Sequence, residues 1–234
     1  MDVLSLENIQ EIEEYLGYHF NDISLLKAAL THKSKHFEDP INFEIHNERL
    51  EFLGDAVLNL AISEYLFNNS KNFTESQMSK MKSYLVKEAV LHEIAQRLCL
   101  GRLLALGKGE ETTGGRQKRS ILADAVEAII GAIFIDSSFQ TARDFVIQQF
   151  SEKITNVINK KEGRDFKSEL QEVCQSKYNL LPMYEVVKQE GEEHKKIFTV
   201  EVYVNGKVMG RGVGKSKKEA ESASAREALF AMGL

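Results

Sequence analysis

The 234-residue chain has no tryptophan, two prolines and two cysteines. Cys99 and Cys174 are far apart, which excludes a disulfide framework and a four-cysteine zinc site and leaves reduced core thiols as the plain reading. No apolar run approaches the roughly 18 residues needed to span a bilayer, so no membrane association is expected. The opening MDVLSLENIQEIEEYLGYHF lacks a basic region ahead of an apolar stretch, so we expect no cleaved secretion signal and a cytoplasmic location. A basic excess is also missing: the net charge is -5, which on its face argues against a general polyanion binder. Net charge does not say where charges sit, however. What is present, 43% hydrophobic and 28% charged residues, is ordinary for globular domains. At this length the chain can bury a core without disulfides and fits one large or two small domains.

Two patterns meet near residue 160. Over residues 1–158 apolar residues recur at three- and four-residue spacing, predicting successive helices over 9–16, 23–30, 50–66, 78–98, 121–134 and 142–157. The breakers fall between them: Gly17, the stretch around Pro40, and GKGEETTGG at 107–115. Residues 159–164 read as a charged linker. From 165 to 234 the order becomes α-β-β-β-α, with β-branched strands, Asn205-Gly206 as a two-residue hairpin turn, and Ser216 capping a final helix with Glu219 at the capping-box offset. The fold class is therefore a multidomain one: an all-α domain followed by a small α+β domain. Divided at residue 163, the charge becomes -6 (18 basic, 24 acidic) and +1 (12 basic, 11 acidic). The acid excess belongs to the helical part.

Within that part, HNERLEFLGDAVL puts Glu48, Glu51 and Asp55 at i, i+3 and i+7, on one helical face within about 60°. On this segment alone, an ordinary amphipathic helix with a solvated acidic side is the plainer reading. In ILADAVEAIIGAIF the only charges are Asp124 and Glu127, on a helix apolar all round. A buried carboxylate needs a cation; a lone arginine is the alternative to a metal. Small residues beside them (Ala123, Ala128, Gly131) allow close approach of another helix or of substrate. Carboxylates without histidine or cysteine select a hard cation, magnesium with manganese as substitute. Such clusters serve phosphoryl chemistry. A glycosidase also uses paired acids, but it depends on aromatic sugar platforms, and tryptophan is absent.

Other features say less. His32 and His36 lie at i, i+4 without HExxH chemistry, and capping or surface roles are the plainer reading. The glycine-rich 107–115 contains no P-loop pattern, so no nucleotide or organic cofactor is expected; with Arg116, Lys118 and Arg119 it is either a phosphate-contacting loop or a solvated one. No nucleophilic triad is supported. Lys215, Lys217 and Lys218 crowd the start of the last helix, where cations oppose the helix dipole. A phosphate partner accounts for that placement, and a generic solvated lysine run competes. The strands carry no aromatic platform for unstacked bases, which favours recognition of duplex shape.

HNERLEFLGDAVL resembles the signature of the ribonuclease III family, and GGRQKRSILADAVEAIIGAIFID its second acidic motif. DFKSELQE, EGEEHKKIF and GKSKKEAE, in that order, are similar to a double-stranded-RNA-binding domain. The resemblance spans nearly the whole chain and is nearest to the short bacterial type. It implies that Glu51, Asp55, Asp124 and Glu127 ligate Mg2+, with Glu48 and Glu75 supporting the placement of substrate and water. It implies RNA contacts from Ser168, Gln171 and Glu172, from His194, and from Lys215, Lys217 and Lys218. The family often has proline after the glycine of the loop between the domain's first two strands, where this chain has Gly191-Glu192. The activity implied is hydrolysis of both strands of duplex RNA to 5′-phosphate ends and short 3′ overhangs, in rRNA precursor and mRNA processing. The family is homodimeric; a two-fold axis would match the two antiparallel strands. Phe52, Leu53 and Leu58 could face that interface, with intrachain packing as the competing reading. A non-catalytic duplex-RNA-binding scaffold is the alternative from another class, and a helical nucleotide phosphohydrolase leaves residues 164–234 unexplained.

Overall fold

A computed structural model describes residues 6–69, 73–159, 165–191 and 196–233. The chain divides into two compact units, Met1–Gly163 and Arg164–Leu234. Among the described residues the first unit holds ten α-helices: α1 (Leu6–Leu16), α2 (Ile23–Ala29), α3 (Lys33–Glu38), α4 (Glu48–Asn69), α5 (Glu75–Leu85), α6 (Glu88–Arg97), α7 (Leu100–Leu103), α8 (Lys108–Thr112), α9 (Arg119–Asp136) and α10 (Phe139–Ile158), with one 3-10 turn at Gly115–Gln117. The second holds α11 (Phe166–Tyr178), β1 (Met183–Glu190), β2 (Ile197–Val204), β3 (Lys207–Gly214) and α12 (Lys217–Ala231). The expected architecture, helices followed by α-β-β-β-α, is the one observed. No helix among the described residues is long and apolar enough to cross a membrane.

The first unit is built around α9. Its run of Ile, Leu, Val and Ala leaves no polar stripe, so it is buried from Ile121 to Ile133 with few interruptions, while α4, α6 and α10 pack round it. The expected single helix over 78–98 is two. α5 ends at Leu85 with Val86 as its cap, Lys87 takes an extended conformation, and α6 begins. The periodicity runs through the break because Leu85, Val90 and Leu91 on both sides enter one core. Thr74 and Gln77 form a capping box that starts α5. The short α3 and α8 escape periodicity analysis because one turn or so carries too few apolar positions.

In the second unit the strands pair antiparallel in the order β1-β2-β3. Asn205 (φ 51°) and Gly206 (φ 75°) both sit in the left-handed region, as a two-residue type I′ turn requires. Val202 and Val204 join Leu170, Cys174, Ala225, Ala228 and Leu229 in a separate core. A Cβ on Gly212 would lie 2.2 Å from the Ala220 carbonyl oxygen, so α12 rests directly on β3. Ser216 caps α12 by accepting from the Glu219 backbone. The Glu219 carboxylate reaches past the expected capping-box partner to the Lys215 backbone N–H, at 2.7 Å.

One expectation about cysteine is corrected. Cys174 is a buried thiol, but Cys99 is exposed, in a left-handed conformation (φ 54°) at the start of α7. It is no core thiol, because the turn between α6 and α7 lies at the surface.

Candidate metal centre and nucleic-acid-binding surface

The centre is created by one helix crossing. A Cβ on Gly54 of α4 would lie 1.7 Å from the Glu127 carbonyl oxygen, and a Cβ on Gly131 of α9 would lie 2.2 Å from the Leu50 carbonyl oxygen. The small residues noted on α9 thus admit a helix, and the glycine within the α4 acidic motif is its counterpart. Because the backbones touch, Glu51 and Asp55 on α4 project beside Asp124 and Glu127 on α9. One carboxylate oxygen each from Glu51, Asp124 and Glu127 lies within 4.8 Å of the other two. Asp55 stands next to them: its charge is the strongest of the neighbouring charges acting on Glu127, while Asn59 Nδ2 donates to its carboxylate at 2.8 Å.

The electrostatics are those of acids crowded together and partly buried. Burial pushes Glu127 up to about 8, with Asp55, Asp124 and Glu51 adding to the rise. Burial likewise raises Glu51, helped by Asp124 and Glu48, and Asp124, helped by Glu88. No arginine among the described residues pairs with Asp124 or Glu127, which removes the lone-arginine reading. An octahedral magnesium with oxygen ligands at about 2.1 Å places those oxygens roughly 3–4 Å apart. Three half-buried carboxylates within 4.8 Å, free of nitrogen or sulfur donors, fit such an ion.

Glu48 and Glu75 lie outside this group. Glu48 accepts from Lys33 Nζ at 2.8 Å, and that hydrogen bond holds its carboxyl below the usual range. Glu75 opens α5, where Ser79 Oγ donates to it at 2.8 Å. It lines a groove of about 370 Å³ with Leu60, Glu64, Phe67 and Met78. Those α4 residues are about two and a half to four and a half turns beyond Glu51, so one chain does not bring Glu75 to the three carboxylates. Sequence reasoning missed Lys33, Glu88 and Gly54. In THKSK the histidines are the conspicuous ligand types, and nothing in the sequence distinguishes Lys33 from a surface lysine. Glu88 was hidden inside an apparently continuous helix.

Both histidines have local roles. His32 Nδ1 accepts from the Ser34 backbone at 3.3 Å and caps α3; His36 Nδ1 donates to the Phe43 carbonyl at 2.7 Å. The glycine-rich segment is folded. Arg116 grips Glu111 at 2.5 and 2.8 Å and the carbonyls of Gly101 and Leu104, and Lys118 binds Glu110 at 2.5 Å. Arg119 is left exposed.

Of the residues matched to RNA contacts, Ser168 is half-buried and donates to Asp165 at 2.6 Å, whereas Gln171 and Glu172 are exposed on α11. His194, like Glu192, lies outside the described residues. Lys215, Lys217 and Lys218 are all exposed at the start of α12, with no ion-pair partner among the described residues. On α4, Leu58 is fully buried and so belongs to intrachain packing, while Phe52 is 82% exposed. Leu60 (56%) and Phe67 (72%) follow on the same side, within about 80° of Phe52 at 100° per residue.

Comparison with known proteins agrees in both units. A family model for a ribonuclease-III-like domain matches residues 22–154, and one for a double-stranded RNA binding motif matches residues 166–230. The chain is 48% identical over 219 residues to Ribonuclease 3 of Clostridium botulinum (strain Eklund 17B / Type B), covering 94% of each. It is 46% identical over 224 residues to Ribonuclease 3 of Borreliella afzelii, covering 96% of this chain and 91% of that one. Among solved structures, the nuclease domain of Ribonuclease III from Campylobacter jejuni is similar at 43% identity and a TM-score of 0.57. The match covers 62% of this chain and 97% of that one, and the structure is described by flexibility in a region involved in dimer formation.

Proposed function

This chain belongs to the ribonuclease III family, and from that premise we propose how its residues carry out the reaction. It is an endoribonuclease of double-stranded RNA. Glu51, Asp124 and Glu127, with Asp55 beside them, hold Mg2+, for which Mn2+ substitutes. A bound divalent ion supplies Lewis acidity to the scissile phosphate, an activated water and charge stabilisation at the leaving oxygen. The products are 5′-phosphate ends with short 3′ overhangs, and the setting is cytoplasmic processing of rRNA precursors and mRNA. The observation that carries this reading is the convergence of three half-buried carboxylates at the α4–α9 crossing. A purely RNA-binding scaffold would have no use for acids kept together against their own repulsion. The test is cleavage of a long RNA duplex by purified protein with Mg2+, then with EDTA or with Ca2+ alone. Cutting is expected with Mg2+ only, and cutting that survives chelation would sink the metal reading.

The protein's own groups divide the work by position. The raised affinity of Glu127 for a proton means that the ion-free cluster sheds charge by protonation and releases that proton as a cation binds. In the second unit, Lys215, Lys217 and Lys218 meet duplex phosphates, and α11 offers Gln171 and Glu172 to the minor groove. Replacing Lys217 and Lys218 together with alanine should weaken duplex binding and lower the slope of log affinity against log salt by about 2. Titration at several salt concentrations measures this, and an unchanged slope would leave the two lysines as surface charge.

Two copies are needed for two strands. The exposed Phe52, Leu60 and Phe67 give α4 an apolar side, and a two-fold dimer covers such a patch with its own copy. Phe67→Asp is expected to convert a dimer into single chains in sedimentation, because a carboxylate buried at that face has no partner. A variant that stays dimeric would place the interface elsewhere.

A further inference from the structure

Lys33 pairs with Glu48, one turn before Glu51 on α4, and its charge acts on both Glu51 and Asp124. Its position is held by backbone bonds. Thr31 bridges to Ala105, His32 N–H donates to the Ala105 carbonyl at 3.1 Å, and Asn47 N–H donates to the Thr31 carbonyl at 2.9 Å. The Asn47 carbonyl in turn accepts from the Glu51 N–H at 2.8 Å. The segment carrying Lys33 is thereby tied to the residue that precedes α4. From there Nζ reaches Glu48 Oε1 at 2.8 Å. Its charge also acts on Glu51 and on Asp124, opposing the burial that raises both.

Two properties make this contact more than a surface ion pair. Both side chains are about half exposed (52% and 48%), so the pair contributes little net stability and is readily broken. The ammonium pairs with Glu48, one helical turn before Glu51 on the same face of α4, and the backbone chain through Asn47 ties its segment to Glu51 itself. A full positive charge at this place is worth most when the cluster holds no ion, and it repels an arriving cation.

We propose that Lys33 is a positioning residue that sets the centre's affinity for its divalent cation: it supplies part of the positive charge while the cluster is empty, holds Glu48 aside, and competes with the incoming ion. The inference rests on the reading of Glu51, Asp124 and Glu127 as the metal ligands. RNA phosphates, which attract the ammonium, would lift its opposition as substrate arrives.

The test is a titration of the full chain with Mn2+ in the absence of RNA, followed by the electron paramagnetic resonance signal of the free ion. Lys33→Met removes the charge and keeps the side-chain length; it should bind Mn2+ about three- to tenfold more tightly than the parent, the size expected for one unit charge near the ion in a high-dielectric setting. Lys33→Arg keeps the charge and should bind like the parent. Lys27→Met, which makes the same change in net charge on α2, should also bind like the parent. Equal or weaker binding by Lys33→Met overturns the inference, as does equal tightening by Lys27→Met. A parent protein that binds no Mn2+ would instead overturn the metal reading on which the inference stands.

Discussion

Glu127→Gln is expected to bind duplex RNA as the parent does and to cut it at least about 10²-fold more slowly, since losing a metal ligand costs more than the roughly 10–100-fold lost with a group that only orients one. The amide has nearly the size of the acid, so the α4–α9 crossing is preserved. It lacks the negative charge a hard cation requires. A gel-shift titration and single-turnover cleavage on the same duplex separate the two effects; parent-like cutting would remove Glu127 from the site. The substitution also has a signature without any metal. Burial with Asp55, Asp124 and Glu51 pushes Glu127 from an ordinary value near 4.5 up to about 8. Between those limits the folded chain keeps a proton that the unfolded chain has released. Stability therefore falls as pH rises through that window. In thermal melts with EDTA the parent should lose stability from about pH 4.5 to about pH 8, and Glu127→Gln should show a shallower loss. The remaining slope comes from Glu51 and Asp124, which burial also raises.

Gly54→Ala is expected to destabilise the nuclease unit by about 3 kcal/mol, the upper range for overpacking a close contact. That corresponds to a drop in melting temperature of about 6–12 °C for a unit of this size. Alanine favours a helix by up to about 1 kcal/mol over glycine, so propensity alone predicts the opposite sign. The obstruction decides it: the new Cβ would lie 1.7 Å from the Glu127 carbonyl oxygen, and the Glu127 carbonyl carbon is at 2.5 Å. Backbone cannot swing aside as a side-chain tip can. The helices must separate, and separation pulls Glu51 and Asp55 from Asp124 and Glu127, so Mn2+ binding should weaken along with stability. Gly109→Ala is the control, since its Cβ would meet nothing within 4 Å. A melting temperature unchanged in Gly54→Ala would show that the two helices have room to spare.

Much of this was readable residue by residue. The spacing of Glu48, Glu51 and Asp55 placed them on one face, and two acids in an otherwise apolar run marked α9 as a buried helix with a purpose. Asn205-Gly206 specified its turn because both positions need positive φ. Less legible were features that depend on what a helix meets. Periodicity joined α5 to α6 because one core buries both, and it passed over α3, which carries Lys33. Spacing made Glu48 and Glu51 look equivalent, yet one is tied to Lys33 and the other joins the α9 carboxylates. Leu58 and Phe52 both read as apolar, and only packing put the first in the core and left the second exposed.

The absence of a basic excess with which the chain presents itself turns out to be a local property. Its sequence alone determined which groups could act together: a helix of acids, a second buried helix with two more, and lysines at the start of a final helix, because side-chain chemistry and helical period are local quantities. Tertiary structure alone decided which of those acids meet. That outcome depends on Gly54 and Gly131 letting two backbones touch across many residues of sequence, and close contact between distant segments is written in no single stretch of either.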